Sequence, residues 1–215
     1  MSPPPANPKI YHITHVTNLP QIITDGELYS DAAMAARGGP PAPIGISAIK
    51  QRRLQLPVEC RPESRVGEYV PFNFCPRSVM LYIFFMNNHP ELTYRGGQAP
   101  IIHLQADLTT SINWADANAR MWAFGMGNAG TRYTHFECDR GSLDQIDWDA
   151  VANNNFRDAD VKEGKQAEFL MHDAFPWGLI EKIGVSSQTV SLQVQAALQN
   201  VVNPPPLEIR SDWYF

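Results

Sequence analysis

Apolar and polar residues alternate from Ile10 to Val16, "IYHITHV", in a run rich in β-branched side chains, which predicts a strand. The period then changes. Leu19, Ile22 and Ile23 share one helical face, Thr17 or Asn18 stands where a cap belongs, and Gly26 stands where the helix should stop. "RGGPPAPIG" is too rich in Gly and Pro for regular structure and reads as a flap; "ISAIKQRRLQL" after it predicts a short helix turning Arg52 and Arg53 outward. "EYVPFNF" predicts a strand, followed by a buried helix from about Arg77 to Met86 with Pro76 in its first turn. "APIIHLQADL" predicts another strand, whereas Thr109 to Arg140 shows no clean period.

Farther on, "SLDQIDWDAVANN" predicts a helix capped by Ser142, and the polar "FRDADVKEGKQ" leads into a strand at "AEFLMH". A turn and strand in "PWGLIEKIGVSS", a helix in "TVSLQVQAALQN" and a short strand in "LEIRSDWYF" complete the chain. Strands that are neither all helix-separated nor all hairpin-joined point to an α+β fold.

Composition narrows the class. With 215 residues and 44% apolar content, the chain predicts one globular domain, residues 10–215, behind a flexible Pro-rich leader, residues 1–9. The longest apolar run, Val79 to Met86, is far short of the roughly 18 residues that span a bilayer, so no membrane partner is expected. The leader lacks a signal-peptide pattern. Cys60, Cys75 and Cys138 are unevenly spaced with no C-x-x-C, which argues against a disulfide framework and a structural zinc, and makes a reducing cytoplasm the simplest compartment. The net charge of −5 counts against a nucleic-acid partner, yet Lys50, Arg52, Arg53, Arg61, Arg65 and Arg77 cluster closely enough to form a local basic face.

Several residues could carry chemistry. Alternation puts Glu168 in the middle of an apolar strand, where carboxylates are rare. It is either an acid aimed into a cleft, or an edge-strand residue facing solvent or paired with Lys165. His12 and Thr14 share one strand face and His15 takes the other, so the two histidines do not chelate a metal together, and no further ligand cluster completes a site. A ring and a hydroxyl side by side suit an amide or a ribose; a packed core histidine is the alternative. Arg77 at a helix start suits an anion, or is a plain surface arginine. His89, His103 and His135 stand alone and read as structural. Neither Gly-rich phosphate motif occurs.

Taken in order, "IYHITH", "IKQRR", "YVPFNFCPRSVMLY", "YRGGQAPIIHL", "KQAEFLMHDAFPWGLIE" and "RSDWYF" resemble the DarT family, toxins of DarT–DarG toxin–antitoxin systems, from Ile10 to Phe215. The resemblance implies an ADP-ribosyltransferase fold, a pair of packed β-sheets around an NAD⁺ cleft with flanking helices. It also implies transfer of ADP-ribose from NAD⁺ to a base of single-stranded DNA with release of nicotinamide, and a macrodomain antitoxin, DarG, as partner. No metal is implied. On matching positions His12, Ile13 and Thr14 would meet the nicotinamide end of NAD⁺, Gln21 and Tyr29 would lie along the rest of it, and Arg53 would reach it from the flap. Glu168 would be the catalytic glutamate, with Arg53 either assisting proton transfer or anchoring phosphate.

A carboxylate near the ribose suits this chemistry, because breaking the nicotinamide bond builds positive charge there. The loop from about Gly127 to Gln166 would position the target base. Arg77, Met80 and Lys162 would contact DNA, and a single strand needs no duplex-sized basic face. Asn73 departs from the resemblance, standing where some thymidine-reading relatives carry an aromatic residue. Thymidine is the expected target; guanosine, RNA, protein and plain NAD⁺ hydrolysis are the alternatives.

Overall fold

A computed structural model describes residues 2–131, 134–155 and 157–215. The first strand, β1 (Lys9–His15), leads through a 3₁₀ turn into α1 (Leu19–Asp25), which ends at Gly26 with φ of 70°. That left-handed backbone is what the sequence position of a glycine there demands. Next come β2 (Glu27–Tyr29), α2 (Asp31–Ala36), the flap and α3 (Ser47–Arg53). A short ribbon, β3 (Pro57–Val58) and β4 (Arg61–Arg65), precedes β5 (Tyr69–Asn73) and α4 (Val79–Met86). β6 (Ile101–Asp107), α5 (Leu108–Ala117), β7 (Trp122–Gly125) and β8 (Phe136–Glu137) follow. The chain finishes with α6 (Trp148–Ala152), α7 (Ala159–Gly164), β9 (Glu168–His172), β10 (Ala174–Pro176), β11 (Ile180–Val185), α8 (Gln188–Leu198) and β12 (Leu207–Ile209).

Eight strands form one sheet in the order β12-β11-β6-β1-β5-β9-β7-β8, and β10-β2 and β3-β4 form two ribbons. The expected pair of sheets is thus one sheet with a seam. β1 pairs with β6 along its whole length, from Lys9 opposite Asp107 to His15 opposite Ile101, but meets β5 at a single position, Tyr11 opposite Asn73. On the far side β5 pairs fully with β9, from Tyr69 opposite His172 to Asn73 opposite Glu168. The two halves part beside Asn73 and Glu168, and the cleft opens there.

The main core fills one face with Phe72, Phe124, Phe169 and Phe175 from the strands and Leu19, Ile112, Val190 and Val194 from α1, α5 and α8. Each fully buried side chain of this size contributes about 2 kcal/mol. A second cluster on the opposite face joins Leu81 and Phe84 of α4 to Ile101, Trp213 and Tyr214, with Tyr11 and Ile13 packed against it.

Four local expectations are corrected. The helix expected from Arg77 starts at Val79, because the Ser78 side chain caps it by accepting from the Leu81 amide, so Pro76 and Arg77 lie before the helix. α5 fills part of the stretch that showed no period: Leu108, Ser111, Ile112 and Ala115 turn inward, and the polar members of that stripe obscured it. The helix predicted in "SLDQIDWDAVANN" breaks into a 3₁₀ segment and α6, whose cap is Asp147 rather than Ser142, and α7 forms within the polar stretch. Finally, Cys60 and Cys138 are joined in a disulfide, against the expectation from their spacing. Spacing along the chain carries no information on the β3-β4 turn folding against the end of β8. The leader lies on the body: Ser2 donates through its amide and hydroxyl to Asp149, and the Pro8 carbonyl accepts from the Leu108 amide.

Candidate active site

β1 supplies the first wall of the cleft. His12 donates from Nδ1 to the Pro71 carbonyl at 2.9 Å, since a carbonyl can only accept. Burial lowers its pKa, outweighing the carbonyl's opposite pull, so the ring is neutral and Nε2 is left as an acceptor. Thr14 on the same face accepts from Asn18 Nδ2 at 3.1 Å. Both residues line the cleft, with Ile13 beside them. His15, on the other strand face, caps the following turn by accepting from the Thr17 amide and takes no part in the cleft.

Glu168 and Arg53 meet at the cleft floor. Arg53 Nη1 donates to Glu168 Oε2 at 2.9 Å, and their side chains are only 9% and 16% exposed. α3 therefore turns Arg53 inward, against the expectation that both arginines face out; Arg52 is exposed. β9 is an interior strand, flanked by β5 and β7, so the edge-strand alternative for Glu168 does not hold. Lys165, the other partner considered, is buried and donates to the Val151 carbonyl at 2.9 Å. Arg53 Nη2 is buried with no hydrogen-bond partner. A desolvated guanidinium N–H without an acceptor is costly, and a ligand oxygen would satisfy it.

The flap forms the opposite wall. Asn18 locks it: its Oδ1 accepts from the Ala42 amide at 2.8 Å and its Nδ2 donates to the Ala42 carbonyl at 2.9 Å. Farther along, Asp25 accepts from Gln21 Nε2 and pairs with Arg37, whose guanidinium lies 4.3 Å over the Tyr29 ring. Lys50 pairs with Asp31 across α3 and α2 at 2.6 Å. Gln21, Tyr29 and Lys50 line the cleft. Asn18 and Arg37 were missed in the sequence, where Asn18 reads as a helix cap and Arg37 as flap.

Of the residues expected to meet DNA, Asn73 and Met80 line the cleft, and Asn73 sits directly across the strand pair from Glu168. Arg77 and Lys162 lie outside it: Arg77 stacks 4.4 Å over the Phe215 ring, and Lys162 is exposed on α7. The loop expected from about Gly127 to Gln166 is tied at its base, where Asn128 Nδ2 donates to Gln166 Oε1 at 3.2 Å and both line the cleft. Positions 132, 133 and 156 within it lie outside the described residues. Among the described residues no group of three or more His, Cys, Asp or Glu is arranged to hold a metal.

A sheet parted beside a cleft-facing glutamate defines the class, an ADP-ribosyltransferase. Comparison with known proteins refines it. A family model described as "ssDNA thymidine ADP-ribosyltransferase, DarT" matches residues 11–215, and the chain belongs to the DarT family. It is 36% identical over 212 residues to a DNA ADP-ribosyl transferase of Thermus aquaticus, covering 96% of this chain and 88% of that one. Among solved structures, Thermus sp. 2.9 DarT in complex with ADP-ribosylated ssDNA superposes with a TM-score of 0.88 at 34% identity, covering 100% of this chain and 99% of the other. The same protein in complex with NAD⁺ gives 0.83 at 33% identity, covering 99% and 100%.

Proposed function

We propose that this chain, through one domain spanning residues 10–215, transfers ADP-ribose from NAD⁺ to thymidine in single-stranded DNA with Glu168 as the catalytic glutamate and Arg53 as its partner. The observation that carries the assignment is the Arg53–Glu168 pair at the cleft floor with Arg53 Nη2 left unsatisfied. NAD⁺ brings a ribose whose bond to the cationic nicotinamide is ready to break. The chain's own groups do the rest. The Glu168 carboxylate holds a ribose hydroxyl and stabilises the positive charge that builds beside it. Arg53 Nη2 donates to an oxygen of the bound nucleotide, and the neutral His12 accepts at Nε2 while Thr14 donates from its hydroxyl. Ile13, Gln21 and Tyr29 line the way outward.

The target base enters past Asn73 and Met80, with Arg77 and Lys162 meeting phosphates outside the cleft. Glu168 takes the proton from the attacking base nitrogen. An amide at position 73 reads a base edge by hydrogen bonding rather than by stacking, so Asn73 tunes which base or context is preferred. Family membership supports a cytoplasmic toxin held in check by a macrodomain antitoxin. The test is incubation with NAD⁺ and oligonucleotides differing only in the central base, read by mass. Addition of one ADP-ribose to the thymidine strand is expected; addition to guanosine alone would reassign the base, and nicotinamide release without any adduct would make the chain an NAD⁺ glycohydrolase.

A further inference from the structure

α4 has two working sides. Met80 and Ile83 turn to the cleft, while Tyr82 and Phe85 face the segment ending at Phe215. On that second side the Tyr82 and Phe215 rings lie 5.1 Å apart, Phe85 stacks on Phe215 at 6.0 Å with 30° between planes, and the Arg77 guanidinium lies over Phe215. Phe85 is 48% exposed and Met86 43%, among the few large apolar residues on the described surface. Arg77 and Arg95 flank it without a carboxylate partner among the described residues; Arg95 donates to the carbonyls of Asn87 and His89 at the far end of α4.

An exposed ring between arginines that lack a carboxylate partner is the chemistry that holds single-stranded nucleic acid, where bases stack and cations follow the backbone. We propose that Phe85, with Tyr82, Phe215 and Arg77, is a stacking platform for nucleotides flanking the target base. The inference rests on the DNA reading above and deepens it. α4 makes the platform continuous with the cleft: Phe85 lies about 8 Å beyond Met80 along the helix axis at about 1.5 Å per residue. That is about two nucleotides of a stacked strand at about 3.4 Å each, so the platform serves a base about two positions from the target.

The test measures direct binding of labelled single-stranded oligonucleotides of about two nucleotides, too short to span from the target to the platform, and of about twelve, within the range of typical single-strand sites. Wild type, Phe85→Ser and Phe85→Trp are compared, and NAD⁺ affinity is measured beside them. The wild type should gain at least tenfold in affinity from the longer strand. Phe85→Ser should lose about tenfold for the long strand, the cost of one base–aromatic stack, and nothing for the short one or for NAD⁺, while Phe85→Trp restores binding. Equal long-strand affinity in wild type and Phe85→Ser would overturn the platform, and so would a wild-type dimer that Phe85→Ser dissociates. Binding is read apart from transfer. Failure to modify any oligonucleotide would count against the proposed activity, while a length-dependent loss in Phe85→Ser would still support the platform.

Discussion

Arg53 and Glu168 are 115 positions apart in the chain, yet they share a 2.9 Å charge-assisted hydrogen bond at the floor of the cleft. That bond decides how the acid should be tested. Glu168→Ala would leave a buried guanidinium unpaired, at a cost on the order of 3 kcal/mol, so lost activity would be mixed with lost stability. Glu168→Gln keeps an acceptor for Arg53 and removes only the charge. Its transfer rate should fall on the order of a thousandfold while its thermal unfolding midpoint stays close to that of the wild type. A Glu168→Gln protein with near-normal transfer would remove Glu168 from the catalytic role.

Asn18 predicts a different kinetic signature. Its side chain pins the flap at Ala42 and also holds Thr14, but it is not placed at the reacting atoms. Asn18→Ala should raise KM for NAD⁺ about tenfold, the effect of losing these bonds, with kcat little changed. Steady-state kinetics with NAD⁺ as the varied substrate separates the two constants. A fall in kcat at constant KM would show Asn18 acting on the chemical step instead.

Arg77 separates the two substrates. Because it lies outside the cleft, against Phe215, Arg77→Ala should weaken oligonucleotide binding severalfold and flatten its salt dependence while leaving NAD⁺ affinity intact. Titrations of each ligand at two salt concentrations measure this, and equal losses for both would remove Arg77 from the DNA side.

His103 makes stability depend on pH. Burial lowers its pKa from 6.5 to about 4, and Nε2 donates to the Pro76 carbonyl. Below pH 6.5 the unfolded chain binds a proton that the native state refuses, so stability is complete above that pH and declines toward pH 4. The loss should reach about 3 kcal/mol from this one group, visible as a falling denaturant midpoint. His103→Gln should flatten that decline.

The disulfide predicts a thiol count. Protein prepared without reductant should present one alkylatable cysteine after denaturation, Cys75, and reductant should raise the number to three. Three thiols without reductant would mean that Cys60 and Cys138 are not bonded in the isolated protein.

Much of this architecture was legible in the residues. Two-residue alternation located β1 and β9 and separated His12 and Thr14 from His15, because successive side chains of a strand point to opposite faces. Local periodicity was silent wherever a contact joined distant segments. It turned Arg53 outward, since a helical arginine normally reaches water, and only the acid on β9 explains why α3 buries it. Asn18 looked like a cap because its partner, Ala42, is 24 residues away and offers only backbone. α5 was hidden by a stripe containing serine, and the Cys60–Cys138 pair by its sequence separation of 78.

The single contact of Tyr11 with Asn73 has a further consequence. His12, Ile13 and Thr14, expected to grip the cofactor, stand on β1, whereas Asn73 and the loop before β9 stand across the seam. Under the proposed function, a change at Asn73 should alter which base is modified while the β1 side chains go on holding NAD⁺. On that reading the seam assigns the nicotinamide end of the co-substrate to one strand and the choice of target to its neighbour.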